Sequence, residues 1–177
     1  MEETLNIRII LFISFLTIFS CWEFFVPRKK RRQRVIKRWT PNFVMMILAQ
    51  IVIKFLFPMT AVLWASYIEE KNLGLFNYLS LNSSLLTIFF SVVLLDLFVY
   101  WQHVFYHRIP FFWHFHKVHH IDLDLDVSSA IRFHPIEMAF SQLLKFILIA
   151  LFGMPALSIL IFEVLINSTS MFNHANI

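Results

Sequence analysis

The sequence predicts an all-α integral membrane bundle of about three spanning helices plus a helical hairpin, capped at its cytoplasmic end by histidines. Three observations carry that reading. Of 177 residues, 59% are hydrophobic and only 15% are charged, against roughly a quarter charged in a soluble domain; such a chain cannot furnish a water-facing surface. Its apolar residues fall in runs of about twenty, the length of a membrane-spanning helix. Its polar residues are gathered: eight of the fifteen Lys and Arg lie between Pro27 and Arg38, and all eight His follow residue 100.

The first apolar run, Leu5 to Val26, is uncharged between Ile9 and Trp22. It is preceded by MEET, acidic where a signal peptide is cationic, and no small-residue cleavage site follows, so it reads as a retained anchor. The lone Cys21 within it has no disulfide partner and reads as a small buried apolar residue. Next comes PRKKRRQRVIKR, Pro27 to Arg38. The chain carries a net charge of +4, and without this stretch the remainder would carry −4. Between two spans, and with no nucleic-acid-binding fold around it, the stretch fixes topology by the positive-inside rule and faces the cytoplasm. Nucleic acid is not expected as a partner.

The second run, Pro41 to Ile68, holds Lys54 as its only charge and Pro58 as a kink. A polar loop, Glu69 to Asn72, leads to the third, Leu75 to Tyr100, uncharged until Asp96. A histidine-rich stretch from Trp101 to Glu137 precedes the last block, Met138 to Ile166, which Gly153-Met154-Pro155 breaks into the two arms of a hairpin. Beyond Lys54, Asp96 and Lys145 the spans hold few ionisable groups, which argues against a transporter with polar residues at the midplane. The chain is thus a single membrane domain, residues 1–74 forming anchor helices with the basic loop 27–38, and residues 75–177 bearing the histidines. Counting crossings from a cytoplasmic basic loop places the histidine-rich stretch on the same side.

In HVFYH, His103 and His107 stand at i and i+4; in HFHKVHH, His116, His119 and His120 stand at i, i+3 and i+4. Each set shares one helix face, where side chains are close enough to converge on one ion, and imidazole suits zinc, iron, copper and nickel. A cluster of titrating histidines that senses pH accounts for the clustering but not for two helical registers. His114 falls on the opposite face and reads as an interfacial histidine. The alternating run IDLDLDV (Asp122, Asp124, Asp126) reads as a solvated loop above the site.

HVFYH followed by HKVHH, then IRFHPIE at Ile131 to Glu137 and MFNHANI at Met171 to Ile177, closely resembles the fatty acid hydroxylase/sterol desaturase superfamily, in particular its bacterial sterol-desaturase-like members. The resemblance runs from about Leu75 to the C-terminus. It implies a multi-pass protein of the bacterial inner membrane with its histidine boxes on the cytoplasmic side, using two non-haem iron ions and O2 to hydroxylate or desaturate a membrane lipid, of sterol or fatty-acyl type, in lipid biosynthesis. Carried over residue by residue, it implies His103, His107, His116, His119, His120 and His174 as metal ligands. It makes His134, Arg132 and Glu137 supporting residues. Asp96, seven residues before His103 and costly at membrane depth unless partnered, is expected to orient a ligand imidazole.

The chain has only two glycines, Gly74 and Gly153, and no Rossmann or flavin fingerprint. Electrons are therefore expected from a separate reductase or cytochrome-type donor. Arg108, Lys117 and Arg132 are cations suited to docking such a donor or to anchoring at the interface. The superfamily pattern also includes a third H-x-x-H-H box, with a downstream Asn-Tyr-Gly, some tens of residues beyond FNHAN. The sequence stops at Ile177 before it, so the expectation is a truncated member with six histidine ligands. The rival reading is a non-catalytic membrane protein with structural or transported zinc, since ligand type alone does not choose iron over zinc.

Overall fold

A computed structural model of the protein describes residues 2–81, 84–122 and 124–177. Met1 of the acidic N-terminus, Asn82 and Ser83 of the expected third span, and Leu123 of the acidic run lie outside the described residues. Among the described residues there are eight α-helices and no strand: α1 (Glu2–Phe25), α2 (Val35–Leu56), α3 (Ala61–Glu70), α4 (Leu75–Tyr78), α5 (Leu85–Arg108), α6 (Pro110–His120), α7 (Pro135–Phe152) and α8 (Ala156–His174). A short 3-10 helix, Val127–Ile131, follows the acidic run. Five segments are long and apolar enough to cross a membrane: Asn6–Phe25, Val35–Tyr78, Leu85–Arg108, Pro135–Phe152 and Ala156–His174.

Local chemistry sets the boundaries. The ring of Pro58 cannot continue a helix, so α2 stops at Leu56 and α3 restarts at Ala61, where the Thr60 side chain accepts from the backbone N–H of Leu63 at 3.3 Å. This is a full break where the sequence suggested a kink. The second span also begins at Val35, inside the basic run, so only part of that run is loop. The third span starts at Leu85, ten residues later than expected, because Ser84 caps it by accepting from Thr87 N–H at 3.2 Å. Pro110 occupies the first turn of α6 and the residue before it ends α5, as proline requires.

The hairpin of α7 and α8 turns at Gly153, in the left-handed conformation with φ +68°. Its partner in that turn is Gly74, at φ +93°. A β-carbon built on Gly74 would lie 2.2 Å from the backbone nitrogen of Gly153. The two glycines of the chain thus let the α3–α4 connection lie directly on the hairpin tip. Between the ends, Ala61, Val62, Ala65 and Ile68 of α3 share one core with Leu95 of α5, Leu148 and Ile149 of α7, and Ile159 and Phe162 of α8. The anchor segment and the histidine-bearing segment are one packed body. Cys21, read as buried, is exposed on α1, a position that faces lipid in a spanning helix.

The opposite end is tied together by charge. Glu23, at the end of α1 and 1% exposed, accepts from the backbone N–H groups of Val127 at 2.7 Å and Asn176 at 2.8 Å, and from Arg31 at 3.0 Å. Arg38 is buried in α2 against Asp126, with Asp122 and Asp124 each 3.9 Å away. Asp122 also pairs with Arg132 at 3.1 Å, and Asp124 accepts from the backbone of Arg32 and Gln33 at 2.7 and 2.9 Å. The acidic run is therefore not a solvated loop: its carboxylates bind the basic stretch. Those contacts put the basic loop, the histidine-rich segment and the end of α8 at one end of the bundle.

A second departure lies within the spans. Glu163 of α8 pairs with Arg8 of α1 at 2.8 Å and Lys145 of α7 at 3.3 Å. Charges inside apolar segments persist when they partner one another; here they tie three helices together at a depth the apolar runs concealed.

Candidate metal centre

The cluster is assembled from the two helices that meet at Ile109-Pro110. The last two turns of α5 carry His103 and His107, and α6 folds back so that His116 and His120 face them. One ring nitrogen from each of these four histidines lies within 4.8 Å of the others. His103 and His107 approach through Nε2 atoms 3.1 Å apart, and His116 and His120 through Nε2 atoms 3.0 Å apart. The other two predicted ligands form an adjoining pair: His119 Nε2 and His174 Nε2 are 3.0 Å apart. The rings of His119 and His116 lie 5.6 Å apart, centre to centre, so the pair and the quartet are continuous.

Three rings are held by their Nδ1 atoms. His116 Nδ1 donates to Glu137 Oε1 at 2.7 Å, His119 Nδ1 to the Arg132 carbonyl at 3.1 Å, and His174 Nδ1 to the Ser170 carbonyl at 2.9 Å. A carbonyl oxygen can only accept, so in His119 and His174 the proton of the neutral imidazole is on Nδ1 and the Nε2 lone pair is free. His119 is also stacked on Phe133, with ring centres 4.5 Å apart. Burial, followed by the neighbouring His174 ring, pushes its pKa down to about 3, which keeps it neutral at physiological pH.

Those constraints test the fit to a metal. Two neutral imidazoles with lone pairs opposed at 3.0 Å repel unless a cation lies between them. Two nitrogens each about 2.1 Å from a shared ion lie about 3 Å apart when they subtend a right angle. The donor set, nitrogen only and supported from behind by a carboxylate and two carbonyls, is the arrangement metal-binding histidines adopt. The residues fit a metal centre.

Of the four expected supporting residues, two back the cluster and two do not. Glu137, 3% exposed at the start of α7, holds His116, and Arg132 contributes its carbonyl while its guanidinium binds Asp122. Arg132 is buried, which removes it from the surface cations suited to docking a partner. His134 instead caps α7, accepting from Ile136 N–H at 3.2 Å, and its ring lies against Phe115. Asp96 is exposed on α5, and among the described residues no hydrogen bond or ion pair reaches it. His114 is exposed, outside the cluster.

Residues that the sequence did not single out complete the surroundings. Tyr106, buried between the two histidines of its own helix, packs on the His116 ring and donates to the Glu137 carbonyl at 3.3 Å, joining α5 to α7. Asn42 of α2 donates to Ser128 Oγ at 2.9 Å, and Asp126 caps the 3-10 helix through Ser128. These bonds fix the segment that presents the Arg132 carbonyl to His119. Such residues carry no motif; only the long-range contacts expose them.

Comparison with known proteins agrees with the geometry. No curated protein and no solved structure matches the chain. A family model described as fatty acid hydroxylase matches residues 88–177, a stretch that begins in α5 and takes in all six clustered histidines. The chain belongs to the fatty acid hydroxylase family.

Proposed function

We propose that the protein is an O2-dependent membrane oxidoreductase that hydroxylates or desaturates a lipid, with a pair of iron ions held by His103, His107, His116, His119, His120 and His174. The observation that carries this reading is the convergence of six imidazoles from α5, α6 and α8 at one end of five apolar helices. A lipid C–H bond has no acidic proton for a base to remove, so the oxidising power must come from bound metal, which would supply the reductive activation of O2. In a hydroxylation one oxygen atom enters the C–H bond and the other leaves as water, consuming two electrons and two protons from a separate donor.

The chain's own residues prepare that chemistry. Glu137, the Arg132 carbonyl and the Ser170 carbonyl fix three tautomers so that Nε2 points inward. Phe133 and Tyr106 pack on the rings of His119 and His116, the two buried histidines of the set. The position of the cluster at the bundle end lets a lipid tail approach from the apolar flanks while the electron donor docks from the aqueous side. By the positive charge of the neighbouring loop that side is the cytoplasm.

Reconstitution with ferrous iron in membranes or nanodiscs, followed by metal analysis and lipid mass spectrometry with a chemical reductant and O2, tests the proposal. The expected result is bound iron and an O2-dependent lipid product with one added oxygen atom or two fewer hydrogens. Retention of zinc alone, with iron rejected and lipids unchanged, would favour the structural-zinc reading.

A further inference from the structure

We infer that the basic loop forms a binding site for the phosphate headgroup of an anionic phospholipid. A cavity of about 260 Å³ opens at the histidine end of the bundle, walled by Arg28, Lys29, Lys30 and Arg31 on one side and by Asn173 and His174 on the other. That volume accommodates a phosphate-bearing headgroup and is far too small for a protein surface.

The loop is built into place. Arg28 N–H donates to the Asn176 carbonyl at 3.0 Å, Lys29 N–H to Asn176 Oδ1 at 3.0 Å, and Asn176 Nδ2 returns a bond to the Lys29 carbonyl at 2.9 Å. The backbone is therefore clamped to the end of α8 while the Lys29 and Lys30 side chains are exposed. The four cations meet two nearby carboxylates, Glu23 on Arg31 and Asp124 on the cavity wall. Asp124 is already engaged by two backbone N–H groups of the loop, so a positive excess faces the cavity.

Depth selects the source of the phosphate. Trp22, Phe24, Phe25 and Val26 are 47%, 73%, 76% and 63% exposed, an apolar and aromatic collar that belongs at the membrane interface. The cationic loop follows immediately, at headgroup level, where Lys and Arg side chains are attracted to anionic lipid. His174 in the cavity wall sets the bound headgroup beside the metal-centre residues.

The test titrates the detergent-solubilised full chain with dioctanoyl phosphatidylglycerol, with the phosphatidylcholine of the same chain length, and with inorganic phosphate, following tryptophan fluorescence. Saturable binding of phosphatidylglycerol is expected, with phosphatidylcholine and free phosphate each much weaker. The Lys29→Ala/Lys30→Ala variant should bind about 30-fold more weakly. Lys29→Arg/Lys30→Arg should bind as the unmodified chain does, and so should Lys71→Ala at the opposite end. Equal affinity for both lipids, or an unchanged affinity in the double alanine variant, overturns the site. Free phosphate binding as tightly as phosphatidylglycerol overturns the lipid source. Should the alanine variant misfold, a phosphatidylglycerol affinity that does not fall with rising salt in the unmodified chain overturns the inference equally.

Discussion

His119 and His174, 55 positions apart in the chain, meet through Nε2 atoms 3.0 Å apart, each with its other nitrogen bound to a backbone carbonyl. That contact joins α6 to the last turn of α8 and sets a pair of histidines beside the quartet. His174→Ala should therefore lower iron content without abolishing it, while His116→Ala should strip the quartet. Metal analysis of the two variants after identical reconstitution reads the difference; equal losses would mean that the quartet and the pair bind as one site.

Glu137 gives a second prediction. Its carboxylate holds His116 Nδ1 at 2.7 Å in a buried position, so Glu137→Ala leaves that N–H unpaired and the ring free to turn. Loss of a carboxylate behind a ligand imidazole typically weakens metal affinity about 10–100-fold. Glu137→Gln, which retains an acceptor oxygen, should fall between Ala and the unmodified protein. Competition with a metal-chelating dye measures both.

The contrast between Glu137 and Asp96 shows where sequence reading reaches its end. Helical spacing placed His103 with His107 and His116 with His120 because neighbours at i and i+4 are set by the helix itself. Gly153-Met154-Pro155 announced the hairpin because left-handed backbone and a helix-starting proline are local properties. The same logic favoured Asp96, two turns below His103. The carboxylate that serves the cluster is Glu137 of α7, 21 residues beyond His116; only the family resemblance had put it among the supporting residues, since no periodicity reports a contact between helices. Arg38 and the Asp122–Asp126 run were likewise legible as charge, not as partners, since 84 or more positions separate them.

The Arg8–Glu163–Lys145 group should be a large contributor to stability when broken unevenly. Glu163→Gln strands two cations among apolar helices, and removal of one partner from such a group costs on the order of 3 kcal/mol. The triple variant Arg8→Met/Lys145→Met/Glu163→Met removes all three charges and should recover most of the loss. Thermal melts in detergent compare the three proteins; a Glu163→Gln variant as stable as the parent would show that lipid or water solvates the cations equally well.

The pairing of basic and acidic segments predicts sidedness that labelling can read. Contacts of Arg38, Arg32 and Gln33 with Asp122, Asp124 and Asp126 put both segments at one end, with Glu70 and Lys71 near the glycine contact at the other. With Cys21 changed to Ser, single cysteines at Lys30 and at Ile121 should react with a membrane-impermeant maleimide from the same side of sealed vesicles. A cysteine at Lys71 should react only from the opposite side. Labelling of residues 30 and 121 from different sides would contradict the shared end.

The glycine contact controls how α8 is delivered to the metal centre. Gly74 and Gly153 both take positive φ, and a β-carbon on Gly74 would meet the Gly153 backbone at 2.2 Å, while one on Gly153 would meet the Leu73 carbonyl at 2.5 Å. Neither neighbour is a flexible side-chain end that could step aside. Gly74→Ala combines a strained backbone with a backbone collision, together on the order of 3 kcal/mol. Because α8 starts at this turn and ends at His174, separating the hairpin tip from α4 should also disturb the His119–His174 pair. Gly74→Ala is thus expected to lower the melting temperature and reduce iron content towards that of His174→Ala. Ser80→Ala, just past α4 and outside the glycine contact, should leave iron content unchanged. A Gly74→Ala protein with full thermal stability and full iron content would show that the backbone can open at this point without moving α8.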